Sequence, residues 1–183
     1  ADIVLISKTP PELTAIGMRI IYKNLPLLPA QHLFFTSFAY MEPRALFDGR
    51  LRPPSMEKIK SNHRNVLLVT GIAEPGPLLD YLNKMDLNIT HLRFPDHHRY
   101  SPGDIKKIKR RYNALPEGGR CMICTEKDAV RLRETMSEED LSSEIFLYLP
   151  VRVIFLNNDE KEFNNYIINY VGKNRRNSKL SER

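Results

Sequence analysis

No stretch of this chain approaches the ~20 consecutive apolar residues that a membrane-spanning helix requires. Its longest apolar stretches, 66–69 and 151–156, are of strand length, so a transmembrane helix is excluded. Cysteine is scarce: Cys121 and Cys124 are the only two, and they lie in one apolar run. In an extended strand, positions three apart face opposite ways, so the pair is not expected to hold one metal, and two buried, reduced thiols are expected. None of the eight glycines belongs to a GxxxxGK[ST] motif, which excludes a Walker-type phosphate cradle within this chain. The chain also opens without initiator Met, basic leader or cleavage site, directly before the apolar run Ile3-Val4-Leu5-Ile6. That start reads as a cut inside a longer protein, with tag removal as the alternative.

What is present suffices for one core. With 183 residues and 42% hydrophobic content, a single soluble globular domain is the default. Apolar periodicity and breakers predict a strand over 2–7, a helix over 11–24, a strand over 32–36 and a Pro-rich irregular stretch over 42–60. Strands at 65–70, 88–94 and 120–125 then alternate with helices at 77–84, 102–112 and 127–136. Strands at 145–149 and 151–156 follow, and then a last helix, capped by Asn158 or Asp159 and ended by Gly172. This alternation predicts an α/β fold with a mostly parallel sheet and helices on both faces. Residues 1–172 are expected to form one lobe and residues 173–183 a flexible basic tail.

In open α/β sheets, ligands bind beyond the carboxyl ends of the strands, so the residues just after each strand are the informative ones. Four such ends are polar: Ser7-Lys8-Thr9, Gly71-Ile72-Ala73-Glu74-Pro75, Phe94-Pro95-Asp96-His97-His98 and Thr125-Glu126-Lys127-Asp128. Gly71 permits close backbone approach and leads to a helix start whose amides suit an anion, although many purely structural turns look the same. Asp96 beside His97 suits proton exchange near neutral pH, with a metal site or a plain structural loop as the other readings. Glu126 and Asp128 gain from a helix dipole whereas Lys127 does not, which suggests a paired or phosphate-facing lysine; capping by Thr125 with a solvent-exposed Lys127 accounts for the same residues.

At these strand ends the sequence resembles the tetraacyldisaccharide 4'-kinase family. The likeness rests on Ala1-Asp2-Ile3-Val4-Leu5-Ile6-Ser7-Lys8, Gly71-Ile72-Ala73-Glu74-Pro75, Phe94-Pro95-Asp96-His97-His98 and Thr125-Glu126-Lys127-Asp128-Ala129-Val130-Arg131-Leu132, followed by Leu149-Pro150-Val151. Glu74 and Ser7 stand where the family commonly shows Asn and Thr. The resemblance implies the carboxy-terminal lobe of a P-loop-like kinase that phosphorylates the 4'-hydroxyl of a lipid A disaccharide precursor. It also implies ATP and magnesium as cofactors, held mainly by an upstream lobe, so that this chain alone is expected to be inactive. Asp96 and His97 match the family's Asp-His pair, where the histidine supports a catalytic aspartate of the other lobe. Lys8 matches a position near the nucleotide base, and Gly71, Glu126 and Lys127 complete the expected cofactor-binding set. The implied location is peripheral, on the cytoplasmic face of the bacterial inner membrane.

The net charge of +6 is concentrated at Lys106, Lys107, Lys109, Arg110 and Arg111 and in the tail. A solvated helix face, anionic lipid and nucleic acid all fit such a cluster. The alternative function is therefore a non-catalytic α/β module that binds nucleic acid or acidic lipid. Only Tyr112 brings an aromatic ring to the cluster, so no nucleic-acid partner is expected. A self-contained metal-dependent hydrolase requires more acids at the strand ends than are present.

Overall fold

The computed structural model describes residues 1–47, 52–137 and 145–180, with side chains described to residue 172. The strands are β1 (Ile3–Ile6), β2 (His32–Tyr40), β3 (Arg44–Ala45), β4 (Asn65–Thr70), β5 (Asn88–Arg93), β6 (Arg120–Thr125), β7 (Phe146–Leu149) and β8 (Val151–Phe155). The helices are α1 (Ala15–Asn24), α2 (Met56–Asn62), α3 (Gly76–Asn83), α4 (Pro102–Asn113), α5 (Glu126–Arg133) and α6 (Glu160–Leu180). The α/β class and the mostly parallel pairing are as expected. The single sheet is not: the strands divide into a three-stranded sheet, β1-β2-β8, and a five-stranded one, β3-β7-β6-β4-β5. The chain correspondingly forms two compact units, residues 1–39 with 152–183, and residues 40–151.

In the larger unit, β5, β4, β6 and β7 are parallel, and β3 closes one edge antiparallel to β7. Val66, Leu67, Leu68 and Val69 of β4 are all fully buried, as a central strand covered on both faces demands. The pleat sorts them. Leu67 and Val69 join Met122 and Cys124 under α4 and α5, where Ile105, Ile108, Tyr112, Ala129 and Leu132 complete the layer. Val66 and Leu68 join Cys121 and Ile123 under α2 and α3. The two thiols therefore face opposite layers, and burial pushes the Cys121 thiol up to about 12.

The helix starts follow local chemistry. Ser55 caps α2, whose presence within the stretch expected to be irregular reflects that cap and the buried Met56 and Ile59. Ser101 and Asp104 form a reciprocal capping box at α4, with Pro102 at the first helical position.

The smaller unit pairs β1 with β2 in parallel and gathers Phe34, Phe155, Phe163 and Tyr166 into edge-on and tilted ring contacts. Asn157 and Asn158 turn the chain through the left-handed region, and Asp159 then accepts the Phe163 amide at the start of α6. The helix continues past Gly172 to Leu180 rather than ending at the glycine. One glycine costs a helix only about 1 kcal/mol, and the Lys and Arg residues that follow favour helix. Residues 181–183 of the expected tail lie outside the described residues.

Candidate active site

From β4 the chain crosses to β5 on one side, and from β6 it crosses to β7 on the other. Adjacent β4 and β6 thus mark the topological switch point, where the carboxyl ends of the strands diverge and a ligand crevice is expected. Gly71 follows β4 there, Thr125 ends β6, and the loop 94–101 follows β5.

A buried carboxylate ties these three ends together. Asp128, in the first turn of α5, is fully buried. Its Oδ2 accepts hydrogen bonds from the Gly71 amide at 3.0 Å and the Thr125 hydroxyl at 2.7 Å, and its Oδ1 accepts one from the Tyr100 hydroxyl at 3.1 Å. The Arg131 guanidinium stands 3.7 Å from Oδ1. A carboxylate can be carried out of water only if its lone pairs and charge are satisfied, and here they are. Burial and the neighbouring Asp128 drive the Tyr100 phenol far up from its ordinary value, so it acts as a fixed donor. Gly71 is required by the same geometry: a Cβ there would stand 2.9 Å from Asp128 Oδ1 and 3.2 Å from the Tyr100 hydroxyl.

Arg131 extends the network to the surface. One guanidinium nitrogen donates to the Gly71 carbonyl at 3.2 Å, and the other meets His97 Nδ1 at 3.3 Å. The His97 backbone adopts φ of 56°, and its amide donates to Asp96 Oδ1 at 2.9 Å. The His97 ring is 79% exposed, with Nε2 3.6 Å from Asp96 Oδ2. His98 has a different environment. It stacks on Phe94 at 4.8 Å, and its Nε2 lies 3.1 Å from Asp104 Oδ2. The Ser101 amide and hydroxyl, and then His98, hold the Asp104 carboxyl down at about 2.

Of the residues singled out from sequence, Gly71, Asp96 and His97 are brought together. The Gly71 amide, expected to face an anion, donates to Asp128. Glu126 and Lys127 are exposed on α5 and take no part in that network. Lys8 belongs to the other unit, in a left-handed turn just after β1. Sequence reasoning passed over Arg131 and gave Asp128 no separate role. The Thr125-x-x-Asp128 spacing of a capping box was the available signal for the aspartate.

At the helix starts beside the switch point, Asp104 and Asp128 occupy the first turns of α4 and α5, and Pro77 removes one amide from the first turn of α3. No group of three or more His, Cys, Asp or Glu residues suited to a metal ion occurs among the described residues.

The family profile described as tetraacyldisaccharide-1-P 4'-kinase matches residues 3–171. The chain belongs to this family. A tetraacyldisaccharide 4'-kinase of Phocaeicola vulgatus is 38% identical over 181 residues, covering 99% of this chain and 49% of the relative. One from Bacteroides fragilis is 39% identical over 186 residues, covering 100% of this chain and 49% of the relative. The chain thus spans about half the length of these 4'-kinases. A crystal structure of LpxK from Aquifex aeolicus in complex with ATP is similar at a TM-score of 0.49 and 16% identity, over 91% of this chain and 51% of that one.

Proposed function

We propose that the intact protein carrying this chain transfers a phosphoryl group from ATP to the 4'-hydroxyl of a tetraacylated disaccharide 1-phosphate, with residues 1–172 as its carboxy-terminal lobe. The observation that carries this reading is the exposed Asp96–His97 pair at the carboxyl edge of the sheet, in a chain matching the 4'-kinase family over residues 3–171. ATP supplies the phosphoryl group and magnesium offsets its charge. Magnesium and most contacts to ATP are assigned to the part of the enzyme outside this chain, which spans about half the length of its relatives.

Within this reading His97 works through its Nε2–H. The guanidinium beside Nδ1 can only donate, so Nδ1 accepts and the ring proton resides on Nε2, ready to orient a carboxylate that removes the proton from the attacking hydroxyl. Asp96 holds the backbone of His97 in place. Lys127 with Glu126 is assigned to the phosphate side; Gly71 acts through the backbone frame it forms with Asp128 and Arg131. Lys106, Lys107, Arg110 and Arg111 are exposed on α4, a basic face suited to anionic headgroups at the cytoplasmic side of the inner membrane. No helix among the described residues is long and apolar enough to cross a membrane.

The test is a phosphoryl-transfer assay on the intact protein with labelled ATP, magnesium and tetraacyldisaccharide 1-phosphate. Label in a 4'-phosphorylated lipid is the expected result. Absence of transfer, with strongly salt-dependent retention on anionic vesicles or nucleic acid, supports the non-catalytic anion-binding module instead.

A further inference from the structure

We infer that Arg131 is a positioning residue: anchored on the Gly71 carbonyl and beside Asp128, it donates to His97 Nδ1 and fixes the imidazole as the Nε2–H tautomer. The inference rests on the proposed kinase reading for its kinetic consequence, while the tautomer is a property of the fold alone.

Three observations carry it. First, an arginine has five N–H donors and no acceptor, so the 3.3 Å contact between Arg131 and Nδ1 fixes the direction of that hydrogen bond. Second, Arg131 is itself held. Its side chain is only 21% exposed, lies 3.7 Å from the buried Asp128 carboxylate and donates to the Gly71 carbonyl at 3.2 Å. Third, Asp96, the other ion-pair partner of the ring among the described residues, does not impose a tautomer. Asp96 Oδ2 is 3.6 Å from Nε2, too long for a hydrogen bond, and Asp96 Oδ1 is engaged with the His97 amide. His97 also holds a left-handed backbone, a conformation that persists where the surroundings impose it. A largely exposed ring would otherwise sample both tautomers and several rotamers. Tying it to a guanidinium whose other nitrogen is bonded to the end of β4 makes the direction of Nε2–H a feature of the sheet edge.

The test is long-range proton–nitrogen NMR of the intact protein with labelled histidine, at about pH 8, where an ordinary imidazole is neutral. His97 is expected to show an unprotonated Nδ1 and a protonated Nε2. Arg131→Lys keeps a cation beside Asp128 but replaces the rigid two-nitrogen fork by a single flexible nitrogen, and Arg131→Gln keeps an amide without the charge. In each, His97 should show mixed tautomers, while kcat for phosphoryl transfer falls roughly 10–100-fold, as for a misoriented group, and KM for ATP stays within about twofold. Circular dichroism identifies which variants remain folded for the comparison. A parent protein with Nδ1 protonated, or a folded variant whose His97 spectrum matches the parent, overturns the inference. Should the intact protein transfer no phosphoryl group, the kinase reading fails and the NMR arm still decides the positioning role.

Discussion

At Asp128 the cost of removing a carboxylate from water is met by three hydrogen bonds and an arginine, and each donor comes from a different part of the sheet edge. Asp128→Ala would strand the Gly71 amide and the Tyr100 hydroxyl in a buried site and leave Arg131 without its counter-charge. Urea denaturation should then show a loss of about 3–5 kcal/mol, the range for breaking a buried pair from one side. A loss below about 1 kcal/mol would mean that water replaces the carboxylate and that the network does not organise the edge. Gly71→Ala should cost about 1–3 kcal/mol by overpacking, because the added methyl meets a carboxylate oxygen that cannot retreat. At this scale the sequence was only partly legible. The polar strand ends and the Asp96–His97 pair stand out as residue types, and the loops after β4, β5 and β6 meet at the switch point, whereas Lys8 belongs to the other unit. What the sequence did not reveal is which member of Glu126-Lys127-Asp128 turns inward. Helix position settles that: the third residue after the Thr125 cap faces back toward the sheet, whereas Glu126 and Lys127 project outward.

Single elements were the most readable level, because their boundaries rest on local chemistry. The Ser101-Pro102-Gly103-Asp104 start predicts α4, and the reciprocal capping box is present. It also makes a pH prediction. The Asp104 carboxyl is held at about 2 in the folded protein, below its ordinary value near 3.8. A carboxylate with a depressed folded value contributes stability that is complete above the ordinary value and is lost as the pH falls toward 2. Thermal unfolding followed between about pH 5 and pH 2 should therefore show Asp104→Asn less stable than the parent by about 1 kcal/mol at the upper end, with the gap closing at the lower end. A gap independent of pH would show that the cap acts through shape alone. Helix α6 runs past Gly172 because a single glycine is a weak stop signal when helix-favouring residues follow. The cap of α2 was hidden among the prolines of residues 42–60.

The whole molecule was legible as a class and not as a partition. Alternating strands and helices specify parallel pairing, but nothing local reveals that residues 1–39 return to residues 152–183 while residues 40–151 form their own sheet. Such long-range pairing is decided by which faces remain to be covered. The family match spans both units, and the chain covers about half of its relatives' length. In the proposed kinase, His97 serves the reaction while His98 serves the fold. Turnover and melting temperature of His97→Ala and His98→Ala in the intact protein test this most directly. The account predicts that His97→Ala lowers kcat by about 10²–10⁴-fold with the melting temperature nearly unchanged. His98→Ala, which loses the Phe94 stack and the Asp104 contact, should lower the melting temperature and affect turnover far less. Normal turnover in a folded His97→Ala protein would contradict the account.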